Sequence, residues 1–125
     1  ELAHQKGARL GYIITSNCMP LLELFAEAGI DVLIGLDPEA WDMAVAKRRL
    51  GDKVCLWGGV NGHLTVEQGS SQDVQVEVRQ ATEVLAPGGG FILSPVDNVR
   101  ENTHRAHQNV AALIDEWQRL TGQVE

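Results

Sequence analysis

Asp97 has the clearest potential for chemistry in this sequence, because it closely follows the apolar segment "FIL" at residues 91–93. A carboxylate in such a place can act as a general base or anchor a substrate through hydrogen bonds. Its neighbour Asn98 can donate hydrogen bonds to the same ligand and accept them. The competing interpretation is a tight turn, since Asp and Asn side chains readily hydrogen-bond to nearby backbone. We predict Asp97 as a catalytic residue and Asn98 as a substrate-binding residue.

Four further polar or small residues follow apolar segments and are predicted to bind substrate: Asn17, Asp37, Gly59 and Asn61. Asn61 can hydrogen-bond to a ligand or form a turn, and Gly59 permits a close backbone approach or a positive φ. Asp37 and Asn17 have a second interpretation as caps of the helices that follow them. The run "GGVNG" matches neither glycine pattern of nucleotide-binding loops, so it predicts no dinucleotide site.

The histidines and cysteines do not combine into a predicted metal site. His104 and His107 lie three residues apart on a predicted helix, without an obvious third ligand. His63 is interpreted as an exposed loop residue. Cys18 has no evident base beside it that would activate a thiol, and Cys55 is predicted to lie in the core. The sequence therefore predicts no metal and no cofactor.

Four short apolar segments predict strands, and an amphipathic segment after each one predicts a helix. The strands are predicted at residues 10–14, 31–36, 54–57 and 91–93. The helices are predicted at residues 19–28, 38–50, 71–86 and 104–121. Their ends carry the expected signals, with Asp37, Ser70 and Thr103 as N-caps and Gly29 and Gly51 as stops.

This strand–helix alternation predicts an α/β fold with a parallel sheet of four strands. In such folds the loops that follow the strands emerge at one edge of the sheet, where ligands bind. Residues 58–63, "GGVNGH", are predicted to form a loop at this edge. All six candidate residues are therefore expected there.

The bulk properties limit the classes of protein. The chain has 125 residues, 44% of them hydrophobic, which suits one domain spanning residues 1–125. A net charge of −7 argues against nucleic-acid binding, and no apolar run is long enough for a membrane span. Two cysteines fit a reducing cytoplasm. Because residue 1 is Glu, we expect a processed chain or a piece of a longer one.

Several ordered segments resemble the uroporphyrinogen decarboxylase superfamily, which includes zinc enzymes that transfer methyl groups to or from corrinoid and thiol carriers. The resemblance covers residues 10–120 and rests on "FAEAGIDVL", "AKRRLGDKV", "LWGGVN", "GGGFILSP" and "NVRENT". It implies a (β/α)8 TIM barrel, of which this chain would supply the last four units, a partial domain.

The resemblance also implies where functional residues should lie, and this sequence departs from it. The His-x-Cys zinc ligands of the methyl-transfer branch fall on Ile13 and Thr15. Asp97 stands where that branch has a third ligand, Cys, and where the decarboxylases have a functional His. The arginines and aspartate that grip substrate in the decarboxylases belong to the N-terminal half. The resemblance therefore implies no zinc site in this chain.

Three functions remain open at this point. The first is the C-terminal half of an enzyme that decarboxylates a carboxylated small molecule or tetrapyrrole. The second is a corrinoid methyltransferase-like protein that has lost its zinc ligands, and the third is a non-catalytic, self-associating fragment. Half a barrel leaves two strand edges unpaired, so we expect a second copy, forming a homodimer, or the N-terminal half to cover them. We expect no nucleic-acid or membrane partner.

Overall fold

The sheet contains four parallel strands in chain order, and a helix follows each strand. The computed structural model describes residues 2–122. The strands are β1 (Gly11–Ile13), β2 (Val32–Leu36), β3 (Cys55–Asn61) and β4 (Phe91–Val96). The helices are α1 (Leu2–Gln5), α2 (Leu22–Glu27), α3 (Met43–Leu50), α4 (Ser71–Leu85) and α5 (His104–Thr121). A 3-10 turn, Met19–Leu21, precedes α2, and a π-helical segment, Gly62–Glu67, follows β3. The predicted α/β fold with a parallel sheet is confirmed.

The two faces of the sheet have opposite environments. Neighbouring strands pair Leu33 with Leu56, and both side chains are fully buried beneath the helices. The next row across the sheet, on the opposite face, is Ile13, Ile34, Trp57 and Ile92. In this row Ile13 is 71% exposed, Trp57 36% and Ile92 40%. The helices therefore cover one face, and the face that would line the interior of a barrel is open.

The buried side chains form two clusters on the helix-covered face. The larger lies between α2, α3 and the first three strands, and it includes Leu22, Leu36 and Leu50. The smaller joins β3 and α4 through Val60, Val74 and Val78, with α5 packed against it. Each fully buried Leu or Val side chain contributes about 1.5–3 kcal/mol. The smaller cluster packs the carboxyl end of β3 against α4 through Val60.

The helix after β2 begins later than predicted, and Asp37 does not cap it. Helix α3 begins at Met43, where the Asp42 side chain accepts a hydrogen bond of 2.9 Å from the Val45 amide. Asp37 instead closes a turn by accepting a 3.0 Å hydrogen bond from the Glu39 amide. Because of this turn the helix begins further along the chain, and the side chain of Trp41, 4% exposed, lies in the core. The N-cap prediction for Asp37 is therefore wrong.

Strand β3 extends beyond its predicted end, so residues 58–61 belong to the strand rather than to a loop. The strand continues through the glycines to Asn61, with a register shift between Ile34 and Leu36 of β2. A Cβ atom on Gly58, whose φ is +147°, would lie 2.7 Å from backbone atoms of Leu36. A Cβ atom on Gly59, whose φ is +99°, would lie 2.8 Å from the Cβ of Ala81 in α4. Close internal packing therefore requires these glycines.

The last two helices confirm the predicted capping signals. Ser70 and Asp73 form a reciprocal capping box at the start of α4. Thr103 caps α5 by accepting a 3.2 Å hydrogen bond from the Ala106 amide. None of the helices within residues 2–122 is long and apolar enough to cross a lipid bilayer.

Candidate active site at the carboxyl edge of the sheet

An open cavity of about 340 Å³ lies where the carboxyl ends of the strands meet. Its floor is the exposed face of the sheet, formed by the side chains of Ile13, Ile34 and Trp57. Its polar groups come mainly from the end of β4 and the residues after it. The remaining lining residues are Thr15, Gly35, Gly58, Ser94, Pro95, Val96, Asp97 and Asn98. The cavity thus combines an apolar floor with a polar rim, as small-molecule sites usually do.

Asp97 and Asn98 enter the cavity lining because the chain turns sharply after β4. Asp97 has a φ of +63°, and it is the one non-glycine residue within residues 2–122 with a positive φ. Asp adopts this left-handed conformation more readily than most residues, but the conformation remains energetically unfavourable for Asp. Such conformations concentrate at functional sites, where the surrounding structure enforces them. Asp97 is therefore both the turn residue and the exposed carboxylate at the rim of the cavity.

Asn61 and Asp37 lie together near this edge but contact each other rather than the cavity. The Asn61 side chain is 7% exposed, and its Nδ2 donates to both carboxylate oxygens of Asp37, at 3.0 and 3.3 Å. Its Oδ1 accepts a 2.6 Å hydrogen bond from the Leu64 amide and so caps the segment Gly62–Glu67. The hydrogen-bonding groups of Asn61 therefore fix the end of β3, and its predicted role in substrate binding remains a prediction.

Glu77 of α4 forms a polar cluster together with Asn61 and Asp37. It accepts a 2.8 Å hydrogen bond from the Asn61 amide and a 2.7 Å hydrogen bond from the Thr65 hydroxyl. Burial raises the pKa of the Glu77 carboxyl, the two hydrogen bonds oppose that rise, and the nearby charges of Glu39 and Asp37 add to it. The cluster therefore concentrates negative charge beside the cavity rather than inside it.

The other two predicted substrate-binding residues also lie outside the cavity lining. Asn17 is exposed, and its Oδ1 accepts a 3.1 Å hydrogen bond from the Met19 amide at the start of the 3-10 turn. Gly59 is buried, and the space beside it is filled by Ala81 of α4. Of the six candidates, Asp97 and Asn98 share the cavity, whereas Asn17, Asp37, Gly59 and Asn61 have structural contacts.

Glu67 is a buried charge that was not among the residues predicted from the sequence. It is 4% exposed and ends the π-helical segment after β3. Its carboxylate accepts hydrogen bonds from His63 Nδ1 at 2.8 Å, from the Glu101 amide at 3.1 Å and from the Arg100 amide. These bonds, led by that of His63, lower the pKa of Glu67 to about 2. The spacing of four between His63 and Glu67 was a possible signal for this pair, but no local pattern indicates contacts with residues 100 and 101.

The donor atoms at the cavity do not suit the zinc of the methyl-transfer branch. Ile13 and Thr15 line the cavity at the positions where the resemblance places two zinc ligands. Zinc takes three or four thiolate, imidazole or carboxylate ligands. Among the residues that line the cavity, Asp97 is the one that carries such a group. Within residues 2–122 no group of three or more His, Cys, Asp or Glu residues is arranged to hold a metal ion.

The fold is an α/β fold consistent with part of a TIM barrel, with a candidate site at the carboxyl edge of its sheet. The family model for uroporphyrinogen decarboxylase (URO-D) matches residues 3–120, and the chain belongs to this family. A curated relative is the uroporphyrinogen decarboxylase of Sodalis glossinidius, 33% identical over 107 residues. That alignment covers 85% of this chain and 29% of the relative.

A solved structure shows the same fold. A methyltransferase from Methanosarcina mazei superposes with a TM-score of 0.76 at 22% sequence identity. The match covers 95% of this chain and 33% of the methyltransferase. At this identity the likeness concerns the fold alone. The chain spans about a third of the length of both relatives.

Proposed function

We propose that this chain supplies the C-terminal half of the barrel, its last four strand–helix units, in a uroporphyrinogen-decarboxylase-like enzyme that removes CO2 from a carboxylated small molecule or tetrapyrrole. The observation that carries the proposal is the placement of Asp97. It is a carboxylate held in a left-handed turn at the rim of the cavity, in a chain whose family model and curated relative are decarboxylases. We propose Asp97 as the catalytic residue and Asn98 as a neighbouring substrate contact.

The cavity suits decarboxylation in two ways. In that reaction the bond between the carboxyl carbon and its neighbour breaks, CO2 leaves, and the neighbouring carbon takes up a proton. Asp97 can accept a hydrogen bond from a ring N–H or relay that proton. The apolar floor of Ile13, Ile34 and Trp57 can pack against a flat ring and exclude water from the carboxylate that is lost.

The substrate needs groups beyond those of this cavity. The lining contains no Lys or Arg side chain among the described residues, although a substrate carboxylate normally binds one. We propose that further strands of the same barrel supply that cation and cover the open face of the sheet.

We also propose a cytoplasmic location, because the two cysteines, Cys18 and Cys55, are free and fit a reducing compartment.

Methyl transfer is the second candidate, and the fold of the Methanosarcina mazei methyltransferase supports it. Since Ile13 and Thr15 do not suit zinc, this activity would have to proceed with another means of activating the methyl acceptor.

A non-catalytic, self-associating fragment is the third candidate, and the apolar open face supports it.

Turnover of uroporphyrinogen by the intact protein tests the first proposal. Stepwise loss of carboxyl groups is followed by mass spectrometry for the wild type, Asp97→Asn and Asp97→Ala. We expect both variants to lower kcat/KM by about 100-fold or more, the usual contribution of a general acid or base. Asp115→Asn, an exposed carboxylate on α5, is the matched control and should retain activity. Methyl transfer from a methylated corrinoid to a thiol, without CO2 release, would replace the proposal with the second candidate.

A further inference from the structure

We propose that Glu67 is a positioning residue of this site, whose buried carboxylate holds the loop between β4 and α5 so that Asp97 and Asn98 line the cavity. The loop comprises residues 97–103 and contains no helix or strand. The catalytic part of this inference rests on the proposed function, because it assigns Glu67 to the same site. The structural part, that Glu67 holds the loop, stands independently of it.

The first support is the pattern of hydrogen bonds. One oxygen of Glu67, Oε1, accepts from two consecutive loop amides, those of Arg100 and Glu101, the second at 3.1 Å. The other oxygen, Oε2, lies 2.8 Å from His63 Nδ1. A charged acceptor strengthens each bond relative to a neutral one. The carboxylate therefore fixes two successive peptide units of a loop that has no secondary structure to fix them.

The second support is the rigidity of the segment that carries Glu67. Asn109 of α5 is 1% exposed, and its Nδ2 donates to the carbonyls of Val66 at 3.0 Å and Gly69 at 2.8 Å. Asn61 caps the other end of the segment through the Leu64 amide. Both ends of Gly62–Glu67 are therefore anchored to the core, so Glu67 holds the loop against a fixed base.

The third support is close backbone contact between the same two regions. A Cβ atom on Gly62 would lie 2.4 Å from the Val96 carbonyl oxygen and 3.5 Å from that of Asp97. The segment after β3 thus touches the chain at the residue that turns into the cavity. Glu67 holds the far side of that turn at residues 100 and 101. The two contacts bracket Asp97 and Asn98 and leave their backbone little freedom.

The carboxylate of Glu67 keeps its charge at neutral pH. The hydrogen bond from His63, followed by those from the Arg100 and Glu101 amides, lowers the pKa of Glu67 to about 2. The carboxylate therefore remains ionised and retains its acceptor capacity at neutral pH. A Gln at this position would keep one acceptor oxygen for the loop amides, whereas an Ala would remove it.

Amide hydrogen exchange in the intact protein tests the structural part directly. In Glu67→Ala, we expect the amides of Arg100 and Glu101 to exchange about tenfold faster or more, because each loses a hydrogen bond to a charged group. Glu67→Gln should retain most of the protection. The matched control is Glu116→Ala, which removes another 4%-exposed carboxylate, one that contacts Arg79 and Arg119 instead of the loop. Chemical unfolding identifies any variant that fails to fold.

Kinetics then test the catalytic part. We expect Glu67→Ala to lower kcat for uroporphyrinogen by roughly 10- to 100-fold, as misplacement of a reacting group does, with Glu67→Gln restoring much of the loss. Unchanged exchange at Arg100 and Glu101 in Glu67→Ala would overturn the inference whatever the activity. Faster exchange with unchanged kcat in an active enzyme would overturn the catalytic part. If the wild type does not turn over uroporphyrinogen, the tetrapyrrole form of the proposed function fails, and amide exchange still decides whether Glu67 holds the loop.

Discussion

The Asn61 side chain donates hydrogen bonds to both oxygens of the Asp37 carboxylate, at 3.0 and 3.3 Å, and so joins the ends of two neighbouring strands. Asp37 directly follows β2 and Asn61 ends β3. The same Asp37 carboxylate closes the turn that delays α3. One interaction therefore sets the local geometry at two of the loops that surround the cavity.

We predict that this pair is energetically coupled. Asn61→Ala should lower the free energy of unfolding by about 1–3 kcal/mol, because it leaves buried polar groups without partners. Combining it with Asp37→Ala should reveal a coupling energy of about 0.5–3 kcal/mol in a double-mutant cycle measured by urea unfolding. The control cycle pairs Asn61→Ala with Asp42→Ala, since Asp42 caps α3 and bonds to Val45. Additivity in both cycles would show that the Asn61–Asp37 contact carries no energy.

We predict that Gly59 tolerates alanine much less well than Gly88. In Gly59→Ala the new Cβ would lie 2.8 Å from the Cβ of Ala81 and take a φ of +99°, so we expect a loss of about 3 kcal/mol or more. Gly88 also has a positive φ, +78°, but no atom lies within 4 Å of its Cβ position. Its alanine variant should cost about 1–2 kcal/mol from the backbone alone. Equal urea midpoints for the two variants would contradict the close packing of β3 on α4.

We predict that Asp31 contributes to acid sensitivity. Hydrogen bonds from the Leu10 amide, then from His4 and Arg9, lower the pKa of Asp31 from 3.8 to about 2. Because the folded-state pKa lies below the unfolded one, this contribution is complete above about pH 4 and is lost as the pH falls towards 2. Asp31→Asn should therefore lower stability at pH 7 and have little effect at pH 2.

The measurement is the urea midpoint of the wild type and Asp31→Asn at several pH values. Asp115→Asn, on the exposed side of α5, is the control and should follow the wild-type curve. Some acid sensitivity should remain in Asp31→Asn, since the pKa of Glu67 is also lowered to about 2. A constant difference between Asp31→Asn and the wild type from pH 7 to pH 2 would show that ionisation of Asp31 is not responsible.

We predict that the 125-residue chain prepared by itself forms a dimer through the open face of its sheet. Ile13, Trp57 and Ile92 are exposed there, and pairing β1 with β4 of a second copy would close eight strands around a two-fold axis. Such an obligate interface typically buries about 2,000 Å² or more. Sedimentation equilibrium at low micromolar concentration should give twice the chain mass of 13.6 kDa.

Two matched substitutions test the site of association. Ile13→Glu places a charge within the open face and should yield monomers. Val76→Glu makes a comparable change on α4, where Val76 is 37% exposed, and should leave the dimer intact. A folded wild-type monomer at 13.6 kDa would show that the open face remains uncovered in the isolated chain.

The elements with strong local signals could be predicted from the sequence. Helices α4 and α5 begin after the predicted caps, Ser70 and Thr103, because an N-cap bonds to amides within its own first turn. The parallel sheet followed from alternating apolar and amphipathic segments. Asp97 and Asn98 were placed at the ligand edge because their position after a strand is itself a local property.

Tertiary structure decided the features that depend on residues distant in the chain. Asp37 is a cap by local pattern, yet it bonds to Asn61, 24 positions away, and α3 begins five residues later than predicted. The glycines of β3 have the composition of a loop, but the backbone of Leu36 and the side chain of Ala81 require them within a strand. Glu67 has no local signal for its contacts with residues 100 and 101. A local pattern records which conformations a segment favours by itself, whereas burial and long-range hydrogen bonds, formed once the strands are side by side, determine which side chains reach the cavity.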